Sequence, residues 1–122
     1  MEATTRWRTP PSRLRTTVRP GPPRRVVLAG EVDILTAERL DMLLTDIVTT
    51  GSPTVEIDAR QLSFRDASGL SVLVAADDLA TRRGGGLTVV NAPPALRRLL
   101  RITGLEQRFT AARRRPAERP LP

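Results

Sequence analysis

Between residues 24 and 110 the hydrophobic period switches back and forth between two values, and this limits the folds open to the chain. Val26-Val27-Leu28-Ala29 is a short apolar run closed by Gly30, the pattern of a buried strand. Leu40, Leu43, Leu44, Ile47 and Val48 then fall at i, i+3, i+4, i+7 and i+8, one face of a helix. Gly51 and Pro53 stop that helix, and Thr54-Val55-Glu56-Ile57-Asp58 alternates as a strand. A second helix is predicted from about Asp66 to Arg83, with Leu70, Leu73, Val74, Ala76 and Ala80 inward and Asp77, Asp78, Arg82 and Arg83 toward water. Gly84-Gly85-Gly86 ends it. Leu87-Thr88-Val89-Val90 reads as a strand, and Leu96, Leu99 and Leu100 as the inner face of a third helix. Strands separated by helices imply right-handed crossovers and a largely parallel sheet.

The flanks of this pattern add detail. Leu14, Thr16 and Val18 alternate, and Pro20-Gly21-Pro22-Pro23 turns the chain. Residues 12–33 are therefore predicted to form a hairpin, with a first strand within 12–19, which makes the sheet mixed. Thr36 is the expected N-cap of the first helix and Glu38 suits its first turn. Residues 59–66 are expected to be a loop with Leu62 and Phe64 packing inward. Asn91 is the expected cap of the third helix, with Pro93 or Pro94 near its first position. Gly104 ends it, Leu105 following at an apolar C″ position. Arg108-Phe109-Thr110 is a candidate short edge strand. The reading is α/β, in the order β-β-α-β-α-β-α-(β), with a mixed, mostly parallel sheet and three packed helices.

Charge separates this span from its flanks. All 20 basic residues are Arg, against 13 acidic residues, for a net +7. Residues 1–23 hold five Arg and one Glu, and residues 111–122 hold four Arg and one Glu, so 24–110 is neutral. Eight of the eleven prolines also lie outside 24–110. The expected organisation is a Pro/Arg-rich N-terminal segment (1–23), a folded domain (24–110) and an Arg/Pro-rich tail (111–122), the ends largely unfolded or extended. Nucleic acid is disfavoured as a partner of these ends, because base stacking needs aromatics and they offer only Trp7. No apolar run approaches the ~20 residues of a membrane span, and no apolar segment follows the N-terminal arginines, so a cytoplasmic protein without a membrane partner is expected.

The same composition narrows the chemistry. Cysteine and histidine are both absent. Disulfides, thiolate nucleophiles, His-liganded zinc and Ser-His-Asp triads are thereby excluded. There is no Gly-x-x-x-x-Gly-Lys loop, and Gly84-Gly85-Gly86 reads as a helix stop. No catalytic residue, metal or cofactor is expected. Two loops at the carboxyl ends of strands stand out instead: Gly30-Glu31-Val32-Asp33, and Arg65-Asp66-Ala67-Ser68-Gly69-Leu70, which opens a helix. A helix N-terminus suits anions and phosphorylated hydroxyls. Locally, Asp33 and Ser68 also fit plain turn or cap roles and Gly69 a close-packing role.

Residues 24–110 resemble the STAS domain of the bacterial anti-sigma factor antagonist family. The resemblance rests on Val27-Leu28-Ala29-Gly30-Glu31-Val32-Asp33, on Thr36-Ala37-Glu38-Arg39-Leu40, on Ile57 through Leu70, on Gly85 through Val90 and on Leu96 through Leu105. It implies a single STAS domain that binds an anti-sigma factor of the serine-kinase type and so frees a sigma factor. It further implies phosphorylation of a hydroxyl in the loop after Asp66, and a phosphatase that resets the cycle. Glu31, Asp33, Arg65, Asp66, Ala67, Ser68 and Gly69 are the partner-binding candidates. The sequence departs from the family at the usual acceptor position, which is Ala67; Ser68 is the adjacent hydroxyl and the remaining acceptor candidate. Arg65 stands where the family is usually apolar. The competing readings are a STAS subunit serving a transporter or sensory assembly, and a protein associated with nucleic acid through its Arg tails.

Overall fold

The computed structural model describes residues 14–21 and 23–110. The chain runs β1 (Arg15–Arg19), β2 (Arg24–Val32), α1 (Ala37–Thr50), β3 (Thr54–Phe64), α2 (Ser68–Arg82), β4 (Gly86–Val90) and α3 (Pro94–Ile102), followed by a 3-10 turn at Gln107–Phe109. The sheet order is β1-β2-β3-β4, with β1 antiparallel to β2 and the other two pairings parallel. This is the expected mixed, mostly parallel α/β sheet. Successive crossovers step the same way across the sheet, so the right-handed rule places α1 and α2 on one face, where they pack together. Residues 1–13 and the 111–122 tail lie outside the described residues.

The core is the set the two periods select. Val26, Leu28, Val55, Ile57 and Leu87 come from the sheet. Leu40, Leu44, Ile47 and Val48 come from α1, and Leu70, Leu73, Ala76 and Ala80 from α2. Leu96, Leu100 and Phe109 close it. β1 is exposed along its whole length, as an edge strand, though Leu14 before it is buried. α1 has no basic residue in its last turn. Its final carbonyls instead accept from arginines of other elements, Ile47 O from Arg24 Nη1 and Thr49 O from Arg83 Nη2.

Five details differ from the sequence reading. First, residues 59–64 are strand: β3 continues to Phe64, and the β3–α2 loop shrinks to Arg65–Ala67. The pairing steps from Val27↔Asp58 to Ala29↔Gln61, so β3 carries one extra residue. That bulge puts Arg60 and Gln61 side by side on the exposed surface and interrupts the period of two. Asp58 Oδ1 accepts the Arg60 N–H inside it at 3.1 Å. β2 likewise extends through Gly30, whose φ of 128° favours glycine, to Val32.

Second, Asp77 does not face water. It is 2 % exposed, accepting the Leu87 N–H at 2.9 Å and Arg108 Nε at 2.7 Å. Its spacing from Leu70, Leu73 and Ala80 places it on the inward stripe, and the arginine makes a charge tolerable there. Third, Arg108-Phe109-Thr110 is not an edge strand. Gln107–Phe109 is a 3-10 turn that buries Phe109, and Arg108 also bonds Asp78. Those two aspartates keep the guanidinium protonated above its usual range, the Asp77 bond foremost.

Fourth, Thr36 stands at the N-cap position of α1 as expected, but its side chain makes no cap bond there. The chain is already turning at Asp33, so the Thr36 hydroxyl points back and accepts the Asp33 N–H at 3.0 Å. Fifth, Asn91 is not the cap of α3; Pro93 occupies that place, with Pro94 first in the helix. Asn91 adopts φ 57° and donates its side-chain amide to Asp58 Oδ1 at 3.2 Å.

Candidate functional site

Parallel pairing brings the carboxyl ends of β2 and β3 together, Val32 beside Phe64. The Arg65 N–H extends the ladder by donating to Val32 O at 2.8 Å. Two loops therefore leave the sheet side by side: residues 33–36 lead into α1 and residues 65–67 into α2. This is the end where open α/β sheets present loops to ligands and partners.

The first loop is a turn built by Asp33. Its Oδ1 accepts the Leu35 N–H at 2.9 Å and the Thr36 N–H at 3.1 Å. Asp33 O accepts the Ala37 N–H at 2.9 Å, so the turn runs straight into α1. The bonds exchanged by Asp33 and Thr36 form a reciprocal pair of the capping-box kind. The turn leaves Ile34 72 % and Leu35 85 % exposed.

The second loop is organised by Asp66. Its Oδ1 accepts the Ser68 N–H at 2.9 Å and also the Ser68 hydroxyl. Its Oδ2 reaches across to the first loop and accepts the Ile34 N–H at 3.2 Å. The Asp66 carboxyl is held below the ordinary aspartate value, first by the Ser68 hydroxyl, then by the Ser68 and Ile34 N–H groups, with Arg65 adding its charge. A second tie between the strand ends is ionic: Arg65 Nη1 lies 2.9 Å from Glu31 Oε1, both side chains being largely in water.

Six of the seven candidate residues thus meet at one end of the sheet. Glu31, Asp33, Arg65, Asp66, Ala67 and Ser68 all reach the surface there, Ala67 exposed and Ser68 partly covered. Gly69 is set apart. It is buried, and a Cβ on it would lie 2.8 Å from the Phe64 ring. Its place is one of packing, holding the start of α2 close to β3. Ile34 and Leu35 reach the same surface without being among the seven candidates. The signal was two adjacent apolar residues between Asp33 and Thr36, out of phase with the Leu40 stripe. Among the described residues, no helix is long and apolar enough to cross a membrane.

Known proteins resemble this chain in sequence and in fold. Residues 16–111 match the family described as Mlab, STAS domain. The anti-sigma-B factor antagonist of Bacillus subtilis is 33 % identical over 82 residues, covering 67 % of this chain and 74 % of the relative. The crystal structure of an anti-sigma factor antagonist from Mycobacterium paratuberculosis superposes with a TM-score of 0.65 at 30 % identity, covering 79 % of this chain and 82 % of that one. The unphosphorylated form of the anti-sigma factor antagonist SpoIIAA shares the fold, with a TM-score of 0.64 at 21 % identity over 79 % of this chain and 85 % of its own. By its family match and by its likeness to the Bacillus subtilis relative, the chain belongs to the STAS-domain family.

Proposed function

We propose that this protein is a non-catalytic cytoplasmic regulator that binds an anti-sigma factor of the serine-kinase type and thereby frees a sigma factor. The observation that carries the reading is the pair of loops joined by Asp66, with Ala67 exposed at the start of α2. The names of the Bacillus subtilis and Mycobacterium paratuberculosis relatives support the partner class. In the family, a hydroxyl directly after the loop Asp takes the phosphate. A phosphate there would add roughly −1.5 to −2 charge beside Asp66 and oppose burial in an interface. This chain carries no hydroxyl at that position.

Ser68 is a poor substitute on three counts. Its hydroxyl already donates to Asp66, and its side chain is partly covered where Ala67 is open. Adjacent helical residues also point about 100° apart, so a kinase fitted to position 67 meets Ser68 from another direction. The reading is therefore an antagonist that its kinase does not switch off at this loop, and a phosphatase has nothing to remove there.

The test is to incubate the full chain with a co-purifying kinase and ATP, and then to map phosphate and measure affinity. The native chain is expected to remain unmodified and bound. Ala67→Ser is expected to gain a phosphate and release the kinase. Stoichiometric phosphate on native Ser68 would overturn the disabled switch. Co-purification with a transporter subunit and no kinase would overturn the partner class.

A further inference from the structure

In a chain of net charge +7, the most exposed adjacent apolar pair among the described residues lies in an acidic neighbourhood. Ile34 and Leu35 are 72 % and 85 % exposed. They are not on a loose loop. Asp66 Oδ2 holds the Ile34 N–H and Asp33 Oδ1 holds the Leu35 N–H. Two apolar side chains are thus presented to water by backbone that is already ordered, so little further conformational freedom is lost when something covers them. Residues 31–42 and 65–68 together hold five carboxylates (Glu31, Asp33, Glu38, Asp41 and Asp66) against two guanidinium groups, Arg39 and Arg65.

We infer that Ile34 and Leu35 are the apolar anchors of the partner interface, and that their occupant is a protein surface with an apolar socket rimmed by Arg or Lys. The inference rests on the proposed function for the partner's identity and adds which residues hold it. Charge selects among occupants. Nucleic acid and anionic lipid surfaces are repelled by the local excess of carboxylates. A second copy docking through the same face would set this acidic surface against itself, because a two-fold interface is self-complementary. A basic rim around an apolar socket satisfies both halves of the surface, with side chains such as Glu38 guiding encounter and the apolar pair resisting dissociation. The link to Asp66 gives the anchor a route to the candidate switch. A change at Ser68 acts on the carboxylate that also holds Ile34 in place.

The experiment compares the native full chain with Ile34→Ser, Leu35→Ser, the double variant, Glu38→Lys and Ile102→Ser, binding each to the co-purified kinase-type anti-sigma factor. Ile102 is the control, 73 % exposed on α3. Burying an Ile or Leu side chain in a socket corresponds to about tenfold or more in affinity. Each loop variant is expected to bind at least about tenfold more weakly through faster dissociation, with an unchanged melting midpoint. Glu38→Lys is expected to slow association, and Ile102→Ser to change nothing. Native affinity in both loop variants would overturn the anchor while leaving the proposed function standing. An unchanged association rate in Glu38→Lys would overturn the basic rim. Binding of no anti-sigma factor by the native chain would overturn the proposed function, and the partner inferred here with it. Self-association that the double variant abolishes would assign the face to a second copy and overturn the inference.

Discussion

Asp77 and Asp66 each accept hydrogen bonds from parts of the chain far from them in sequence, yet one is 2 % exposed and the other lies in water. Asp77 ties α2 to the start of β4 through the Leu87 N–H, and to the C-terminal turn through Arg108. Asp66 ties the start of α2 to the β2–α1 loop through the Ile34 N–H. The chemistry is the same and the environment differs. A buried carboxylate has no water to fall back on, so its partners are obligatory. An exposed one exchanges protein donors for water at small net cost. The first arrangement therefore fixes the fold, and the second shapes a surface that can respond to a partner or a modification.

Removing each carboxylate separates the two most sharply. Asp77→Ala removes the buried acceptor of the Leu87 N–H and of Arg108 Nε, while Arg108 keeps its bond to Asp78. Each hydrogen bond to a charged group of this kind contributes about 1.5–3 kcal/mol, so losing both removes a large share of the stability of a domain this size. Denaturant unfolding is expected to show this loss, whereas Asp66→Ala is expected to unfold near the native midpoint. Equal losses in the two variants would erase the distinction. A smaller effect is expected from Gly69→Ala, which sits between the two aspartates on α2. The new methyl lies 2.8 Å from the Phe64 ring, and overpacking of this kind costs about 1–3 kcal/mol. Because Phe64 ends β3 where the Asp66 loop begins, the amide signals of Ser68 and Ile34 are expected to shift as well. Unfolding free energy and amide spectra on the same sample check both.

The two clusters were also unequally visible in the sequence. The strand–helix alternation and most of the core followed from periodicity, because burial on one face of a helix or strand leaves a regular trace. Asp77 fell on the Leu70–Leu73–Ala80 stripe by its spacing. Its residue type points to water instead, and its partner Arg108 is 31 residues away. The second half of β3 was hidden by the bulge, which put two polar residues together where alternation was expected. The C-terminal turn was hidden because three residues around one phenylalanine fit a strand as well as a 3-10 turn. At the candidate site, the two loops could be picked out as loops after strands. Which atoms join them could not, since the Asp66–Ile34 bond spans 32 residues and depends on the register of β2 against β3.

The smallest expected effect is the most direct probe of the exposed cluster. The Asp66 carboxyl is lowered from 3.8, with the Ser68 hydroxyl the first cause; Asp58 is lowered as well, burial raising it as the largest single effect while the bonds from the Arg60 N–H and Asn91 and the charges of Arg60 and Arg25 together outweigh it. A carboxyl lowered in the folded state binds its proton less readily there than in the unfolded chain. Its contribution to stability is therefore complete above 3.8 and is lost as pH falls below 3.8 through the folded value. The Ser68 and Ile34 amides both donate to Asp66 and should report one shared titration with a midpoint below 3.8. In Ser68→Ala the first cause of the lowering is removed, so the midpoint is expected to rise toward the ordinary value while the Ile34 amide still follows it. Separate midpoints for the two amides in the native chain would show that one carboxylate does not join the loops. A midpoint unmoved by Ser68→Ala would show that the hydroxyl is not held by Asp66 and stands free for a kinase.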